Sequence, residues 1–224
     1  FAPRWLLVGL CCAMPAQIIQ RLSVLFPTDR FSVHPDQLAV VSRDESSLEG
    51  VTPLAVIWPV NAQEVSAAIR ECIETRTPIT TRGAGSALEG STIPVNGGVV
   101  LDVSRMNRIV NFWPEDLQVE VEPGIIYDHL NGHLKREGLF FPPSPGGSGD
   151  IATVGGMVST NASGIFSVKY GGTREYILGM EIVTGTGEIM KIGNRAIKRS
   201  SGYNLVELVC GSEGTVAVIT SITP

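Results

Sequence analysis

TRGAGSALEG, residues Thr81 to Gly90, and PPSPGGSGDIATVGGMVSTNASG, residues Pro142 to Gly164, decide the reading of this chain. Glycine has no Cβ, so such stretches turn through positive φ and bring amide N–H groups close to an anion. One loop of this kind is common. Two suit a longer ligand, with a charged middle and a ring system at each end that needs walls from separate segments. That pattern points to a dinucleotide.

The spacing excludes two familiar nucleotide sites. Gly83 and Gly85 are followed by Leu88 where the G-x-G-x-x-G fingerprint needs its third glycine, and no acidic ribose partner follows on a second strand. No Gly-Lys-Ser/Thr closes the loop either, which removes a P-loop. The first loop alone reads equally well as a tight turn. The second stretch shifts the balance: Thr153, Val154, Gly155 and Gly156, then Ser159, Asn161, Ser163 and Gly164, place small residues and side-chain hydrogen-bond formers where a ligand passes close to backbone. A plain surface loop explains Gly146 to Gly149 better than it explains Thr153 to Gly164.

The rest of the chain is that of a globular protein. Its 224 residues, 43% hydrophobic and 17% charged, suffice for a core. The net charge of −5, with no basic cluster beyond Lys198-Arg199 beside Arg195, excludes nucleic acid as a partner. Cys11, Cys12, Cys72 and Cys210 lack metal-ligand spacing and fit a reduced, intracellular setting. His129 and His133 stand four apart on an expected helix surface, and His34 is isolated, so no metal site is expected. The apolar run Trp5 to Met14 is too short to span a bilayer and reads as a helix packed on the body, with a signal or membrane role the lesser alternative.

Periodicity and turn residues predict the elements. A strand over Leu54 to Trp58 leads to a helix from Ala62 to Thr75, opened by the capping pair Asn61 and Glu64 and stopped before Pro78. Strands follow at Ile79 to Thr81, which delivers the first glycine loop, and at Val99 to Val103 after Asn96-Gly97-Gly98. A second unit beginning near Ile109 contains a strand over Leu117 to Val121, the Pro123-Gly124 turn and a helix over Ile125 to Glu137 ended by Gly138. Strands at Ile177 to Thr184 and Glu188 to Ile192 flank a Gly185-Thr186-Gly187 turn, and Val216 to Ser221 is the last strand. Residues 27–52 read as mixed and polar, with Val41 to Gly50 an irregular arm. The expected fold class is α+β. It comprises an N-terminal helix and arm over 1–52, then subdomains over 53–108 and 109–224 with the ligand in the crevice between them.

Four blocks carry a resemblance: RGAGSALEG; Pro142 to Gly164; KYGGTREYILGMEIVTGTGE, Lys169 to Glu188; and GYNLVELVCGSEGTVAVIT, Gly202 to Thr220. In order and spacing they resemble the FAD-binding domain of the FAD-linked oxidase family shaped like vanillyl-alcohol oxidase. Within it they are most similar to the glycolate oxidase FAD-linked subunit and the D-lactate and D-2-hydroxyglutarate dehydrogenases. The match runs from about Pro53 to Pro224.

The resemblance implies FAD as cofactor. Thr80, Thr81, Arg82, Gly83, Ala84, Gly85, Ser86, Ala87 and Leu88 would wrap the diphosphate, with amides of Gly83 to Ser86 as donors. Arg82 either assists there or pairs on the loop's outer face. Pro143, Ser144, Thr153, Val154, Gly155 and Gly156 would line flavin and diphosphate, and Ser159, Asn161 and Gly164 would continue that wall. Glu213, Gly214, Thr215, Val218 and Ile219 would pass the adenine end. Members with covalent flavin carry histidine where this chain has Ser86, which implies noncovalent FAD. The implied reaction is oxidation of a 2-hydroxy acid by hydride transfer to flavin. An alkylglycerone-phosphate-synthase-like transferase half and a non-catalytic cofactor-binding subunit remain as alternatives. The substrate domain that would hold the base and metal ligands is expected to lie outside this sequence, so no catalytic side chain is named. Expected partners are that domain or a partner subunit, and an iron–sulfur electron-transfer subunit. The expected location is the cytoplasm, with peripheral contact to the inner membrane.

Overall fold

The computed structural model describes residues 16–224; Trp5 to Met14, with Cys11 and Cys12, lies outside the described residues. Strands β2 (Ala55–Ile57) and β4 (Val99–Asp102) are buried at every position, as strands covered on both faces must be. They belong to a four-stranded sheet of order β1-β2-β4-β3, where β1 is Phe31–Ser32 and β3 is Ile79–Arg82. β1 runs antiparallel to β2, and β2, β4 and β3 are mutually parallel. On one face Ile57, Val99 and Leu101 pack against helix α3 (Ala62–Glu74) and the helix α1 over residues 16–25, through Ile18, Leu22, Val65 and Ile69. On the other, Val56 and Val100 meet Leu38 and Val41 of α2 (Pro35–Val41). The expected cap of α3 is present: the Asn61 side chain accepts from the Glu64 amide at 2.8 Å, and Glu64 accepts from the Val60 amide at 3.0 Å.

The second sheet has the order β5-β6-β9-β7-β8 and is antiparallel throughout. Its strands are β5 (Ile109–Trp113), β6 (Gln118–Val121), β7 (Gly179–Thr184), β8 (Ile189–Gly193) and β9 (Ala217–Thr223). A register shift between β7 and β9 sets Ile182 opposite Ile219 but Glu181 opposite Ser221. The extra residue, Thr220, lets Ile219 and Ile222 face one core although they are three apart. That core also takes in Leu130 and Leu134 of α4 (Tyr127–Leu134), Val154, Met157 and Val158 of α5 (Val154–Thr160), and Val206 and Val209 of α7 (Leu205–Val209). A short helix α6 (Ser167–Tyr170) precedes β7. Val183 and Val218, on the opposite face, join the core of the first sheet, so the two sheets are packed together through α3.

The α+β class holds, and the structure adds elements that the sequence expectation lacked, among them β5, α6 and α7. Residues 27–52 contribute β1 and α2. The second glycine-rich stretch contains a helix, α5. The strand over Ala217–Thr223 lies in the middle of its sheet. Among the described residues no helix is long and apolar enough to cross a membrane, and no group of three His, Cys, Asp or Glu could hold a metal. Arg195 does not join a basic cluster: it pairs with Asp116 and lies over the Trp113 ring at 3.7 Å.

Candidate functional site: a crevice between two glycine-rich segments

β3 and β4 are neighbouring parallel strands, so the chain between them must cross over. Here residues 83–98 make that crossing without a helix. A connection above about 12–15 residues with no secondary structure is uncommon in a compact domain and usually serves a ligand. The loop is tied down at single points: the Glu45 amide donates to the Ala87 carbonyl at 3.1 Å, and Ile93 to Gly90 at 3.1 Å. Amides of Gly83, Ala84, Gly85, Ser86, Ala87 and Leu88 donate to no backbone carbonyl among the described residues.

α5 faces this loop. A Cβ on Gly83 would stand 2.4 Å from Thr153 Oγ1, which shows how closely the loop approaches the start of α5. Thr153 caps the helix by accepting from the Gly156 amide at 3.2 Å, while the Gly155 amide donates to Pro123 O at 2.7 Å and the Val154 amide to Ile125 O at 2.8 Å. The first turn of α5 is therefore satisfied by protein, and what its glycines offer is close van der Waals approach. Free donors on this wall come instead from Gly146, Gly147 and Ser148, whose amides also donate to no backbone carbonyl among the described residues.

Between these walls lies a crevice of about 970 Å³, at the upper end of the ~300–1,000 Å³ typical of ligand sites. Of the residues singled out from sequence, it brings together Thr81, Gly83, Gly85, Ser86, Ala87, Leu88, Thr153, Gly155, Gly156, Ser159, Glu213, Gly214 and Ile219. It does not expose the others. Val154 and Val218 are core residues, and Ser144 is buried, with Gly164 packed on its carbonyl. Asn161 ends α5 in the left-handed region (φ 50°) and accepts from the Arg174 amide at 3.0 Å. Thr80, Ala84, Pro143 and Thr215 do not line the crevice. Arg82 is 7% exposed and turned away from it, donating to Arg43 O at 2.7 Å. Among the described residues it makes no ion pair within 4 Å, and its contacts are to Arg43 O and Thr92 Oγ1.

The lining also contains residues the sequence reading passed over: Glu45, Glu89, Pro145 to Ser148 and Ile151; Ser163, named among the hydrogen-bond formers, lines it as well. Gly146 and Gly147 were legible as glycines but were assigned to surface. Glu45 carried no local signal, because only tertiary structure brings the arm beside the loop. The charged lining residues are Glu45, Glu89 and Glu213, all acidic. An anion in this crevice must therefore be met by amides and hydroxyls, each charge-assisted hydrogen bond contributing about 1.5–3 kcal/mol. The crevice-lining residues supply five free amides from the first loop, those of Gly83 and Gly85 to Leu88, and three from the other, a donor set that fits a diphosphate.

Residues 53–193 match the family model described as an FAD binding domain. The chain belongs to this FAD-binding domain family. FAD is its cofactor, and the donor set just described is of the kind such a ligand needs. The chain is 39% identical over 183 residues to D-lactate dehydrogenase of Anaerostipes hadrus, covering 81% of this chain and 38% of that protein. To glycolate oxidase subunit GlcD of Bacillus subtilis it is 40% identical over 181 residues, with the same coverage. Among solved structures, an alkyldihydroxyacetonephosphate synthase superposes with a TM-score of 0.81 at 22% identity, covering 93% of this chain and 39% of that one, which establishes the shared vanillyl-alcohol-oxidase-type fold. The chain thus spans about two-fifths of the length of the curated relatives it matches.

Proposed function

We propose that this chain is the cofactor-holding part of a flavin-dependent enzyme that oxidises a 2-hydroxy acid of the glycolate or D-lactate class. The observation that carries this reading is the crevice whose two glycine-rich walls present free amides and no cationic side chain. Its relatives of about 40% identity are named for glycolate and D-lactate. In this reading the loop from Thr81 to Leu88 holds the diphosphate through amides of Gly83 to Ser86. Pro145 to Ser148 and Thr153 to Gly156 form the wall toward the flavin, while Ser159, Glu213, Gly214 and Ile219 flank the adenosine end. Ser86 leaves the first loop without a histidine, so the cofactor is held noncovalently.

The chemistry supplied by bound FAD is acceptance of the substrate's α-hydrogen as hydride. This chain's residues bind and orient; a base for the α-hydroxyl and the substrate pocket come from a substrate domain or partner subunit, and an iron–sulfur subunit would take the electrons onward. Residues 53–108 and 109–224 form the two subdomains. The protein works in the cytoplasm, with peripheral contact to the inner membrane. The transferase alternative has support at the level of fold alone.

The test uses the purified chain loaded with FAD. It is expected to bind FAD, seen as oxidised-flavin absorbance after gel filtration, and to leave that absorbance unbleached by anaerobic D-lactate or glycolate. A positioned base alone is worth about 10²- to 10⁴-fold in rate. Absence of FAD binding overturns the whole reading. Bleaching at rates typical of complete enzymes overturns the assignment of the substrate machinery elsewhere.

A further inference from the structure

The arm over residues 42–50 folds against the first glycine loop, with Glu45 reaching the crevice and Arg43 and Asp44 lying outside its lining. Besides the Glu45 amide on Ala87 O, a Cβ on Gly90 would strike the Leu48 side chain at 2.4 Å, so arm and loop are in direct contact. Between them is a second cavity of about 650 Å³, lined by Arg43, Asp44, Glu49, Arg82, Ala84 and Gly85 among others. Two buried charged residues line it.

The first is Arg82, whose Nη1 donates to Arg43 O at 2.7 Å and to Thr92 Oγ1 at 3.4 Å. Its guanidinium lies against Gly85, where a Cβ would fall 2.0 Å from Nη2 and 2.1 Å from Cζ. Gly85 is also in the left-handed region (φ 72°). Glycine is thus favoured there twice over, by its φ and by the guanidinium that occupies the place a Cβ would take. The second is Asp44, 8% exposed. One carboxylate oxygen accepts from the Ser46 amide at 3.0 Å, and the other, Oδ2, is buried with no hydrogen-bond partner among the described residues. A buried carboxylate oxygen left without a donor is costly, so such groups ask for an explanation. Burial lowers the Arg82 pKa, and the carboxylates of Asp102, Asp44 and Glu45 oppose that shift.

We infer that Arg82 is a positioning residue for FAD: anchored by the Arg43 carbonyl and the charge of Asp44, its guanidinium props Gly85 from behind and fixes the loop conformation that leaves the Gly83 to Ser86 amides free for the diphosphate. This rests on the reading of that loop as the diphosphate site. Arg82 acts through the loop and does not touch the cofactor. This placement explains why a chain with an acidic crevice keeps a buried arginine beside its anion loop without turning it into the crevice.

The experiment compares wild type with Asp44→Asn, Arg82→Lys, Arg82→Gln and the double variant Asp44→Asn/Arg82→Gln. It reads FAD dissociation constants, thermal stability of the apo chain, and hydrogen exchange of the loop amides at saturating FAD. Asp44→Asn is isosteric and removes an unpartnered buried charge, so the apo chain is expected to be at least as stable as wild type. FAD affinity is nevertheless expected to fall by about tenfold, with a similar fall for Arg82→Gln and no further loss in the double variant, since groups acting as one unit are not additive. Arg82→Lys, which keeps the charge, should recover part of the affinity. At saturating FAD the loop amides should exchange faster in Asp44→Asn and Arg82→Gln than in wild type, while the rest of the chain is unchanged. Unchanged or tighter FAD binding in Asp44→Asn, wild-type loop protection in the variants, or additive losses would each overturn the inference. A wild-type loop that gains no protection on FAD binding refutes the diphosphate reading instead, so the two failures are distinguishable.

Discussion

Gly155→Ala should unfold this chain more easily, although alanine is the better helix former. Gly155 lies in the first turn of α5 with its amide on Pro123 O at 2.7 Å. A Cβ there would meet Pro123 Cβ at 2.5 Å, Pro123 O at 2.7 Å and Pro123 Cα at 2.9 Å, against an ordinary contact of 3.4 Å or more. Two of those atoms are backbone and the third is part of a rigid ring, so the helix must withdraw by about 1 Å. Overpacking of this kind costs about 1–3 kcal/mol, and weakening the Pro123 hydrogen bond adds about 0.5–1.5 kcal/mol. The gain in helix propensity offsets up to ~1 kcal/mol. A net loss of about 2 kcal/mol lowers the urea midpoint of the apo chain by about 1 M if the m-value is near 2 kcal/mol/M. Gly132→Ala is the control. Gly132 is also helical, in α4, yet nothing lies within 4 Å of its Cβ position, so the same substitution should raise the midpoint through propensity alone. If both variants move upward together, close packing at Pro123 does not limit α5.

Two further outcomes are open to measurement. With Ser86 where covalent relatives of the resemblance carry histidine, acid denaturation of the FAD-loaded chain should leave all flavin in the supernatant; flavin retained in the pellet refutes noncovalent binding. Burial pushes the Cys72 thiol up to about 12, so its peptide should stay unlabelled by iodoacetamide in the native chain near pH 8 and label fully on denaturation. A folded-state pKa raised above that of the unfolded chain contributes stability below the ordinary thiol range and loses it as pH climbs through about 9 toward about 12. Rapid native labelling, or stability rising over that window, would contradict the burial of Cys72.

The parts of the fold that local chemistry decides were readable from sequence. α3 announced itself through Asn61, Glu64 and the spacing of Val65, Ile69 and Cys72, β2 through an unbroken apolar run and β4 through Val99, Val100 and Leu101. α5 was not readable, because Gly155-Gly156 is a poor start for a helix. Its Thr153 cap is local, but the seat of Gly155 on Pro123, 32 residues away in sequence, is a tertiary contact that no local pattern announces. α2 was missed although Pro35 offered a start signal, since its cap is His34 and the helix is short. For the site, glycines marked segments that do line both walls of the crevice, but which glycines expose free amides depends on what else claims those amides. The claim on Gly155 by Pro123, and the freedom of Gly146 and Gly147, are facts of tertiary packing. Arg82 illustrates the same limit: its place beside the loop was visible, and the side to which it turned was decided by an arm nearly forty residues earlier in the chain.

The central place of β9 has a consequence for how the chain comes to be folded at all. Until residues 217–223 leave the ribosome, β5-β6 and β7-β8 are two separate hairpins, each with an open inner edge waiting for the same strand. The second sheet is therefore completed last and by pairing that spans about a hundred residues between β6 and β9, a topology that slows folding. A fragment cut at residue 193, where the family match ends, would keep every glycine of the two loops and lose the strand that holds their two walls in one body. If the crevice holds the cofactor as proposed, the smallest unit able to grip it is set by that late strand rather than by the glycine motifs alone.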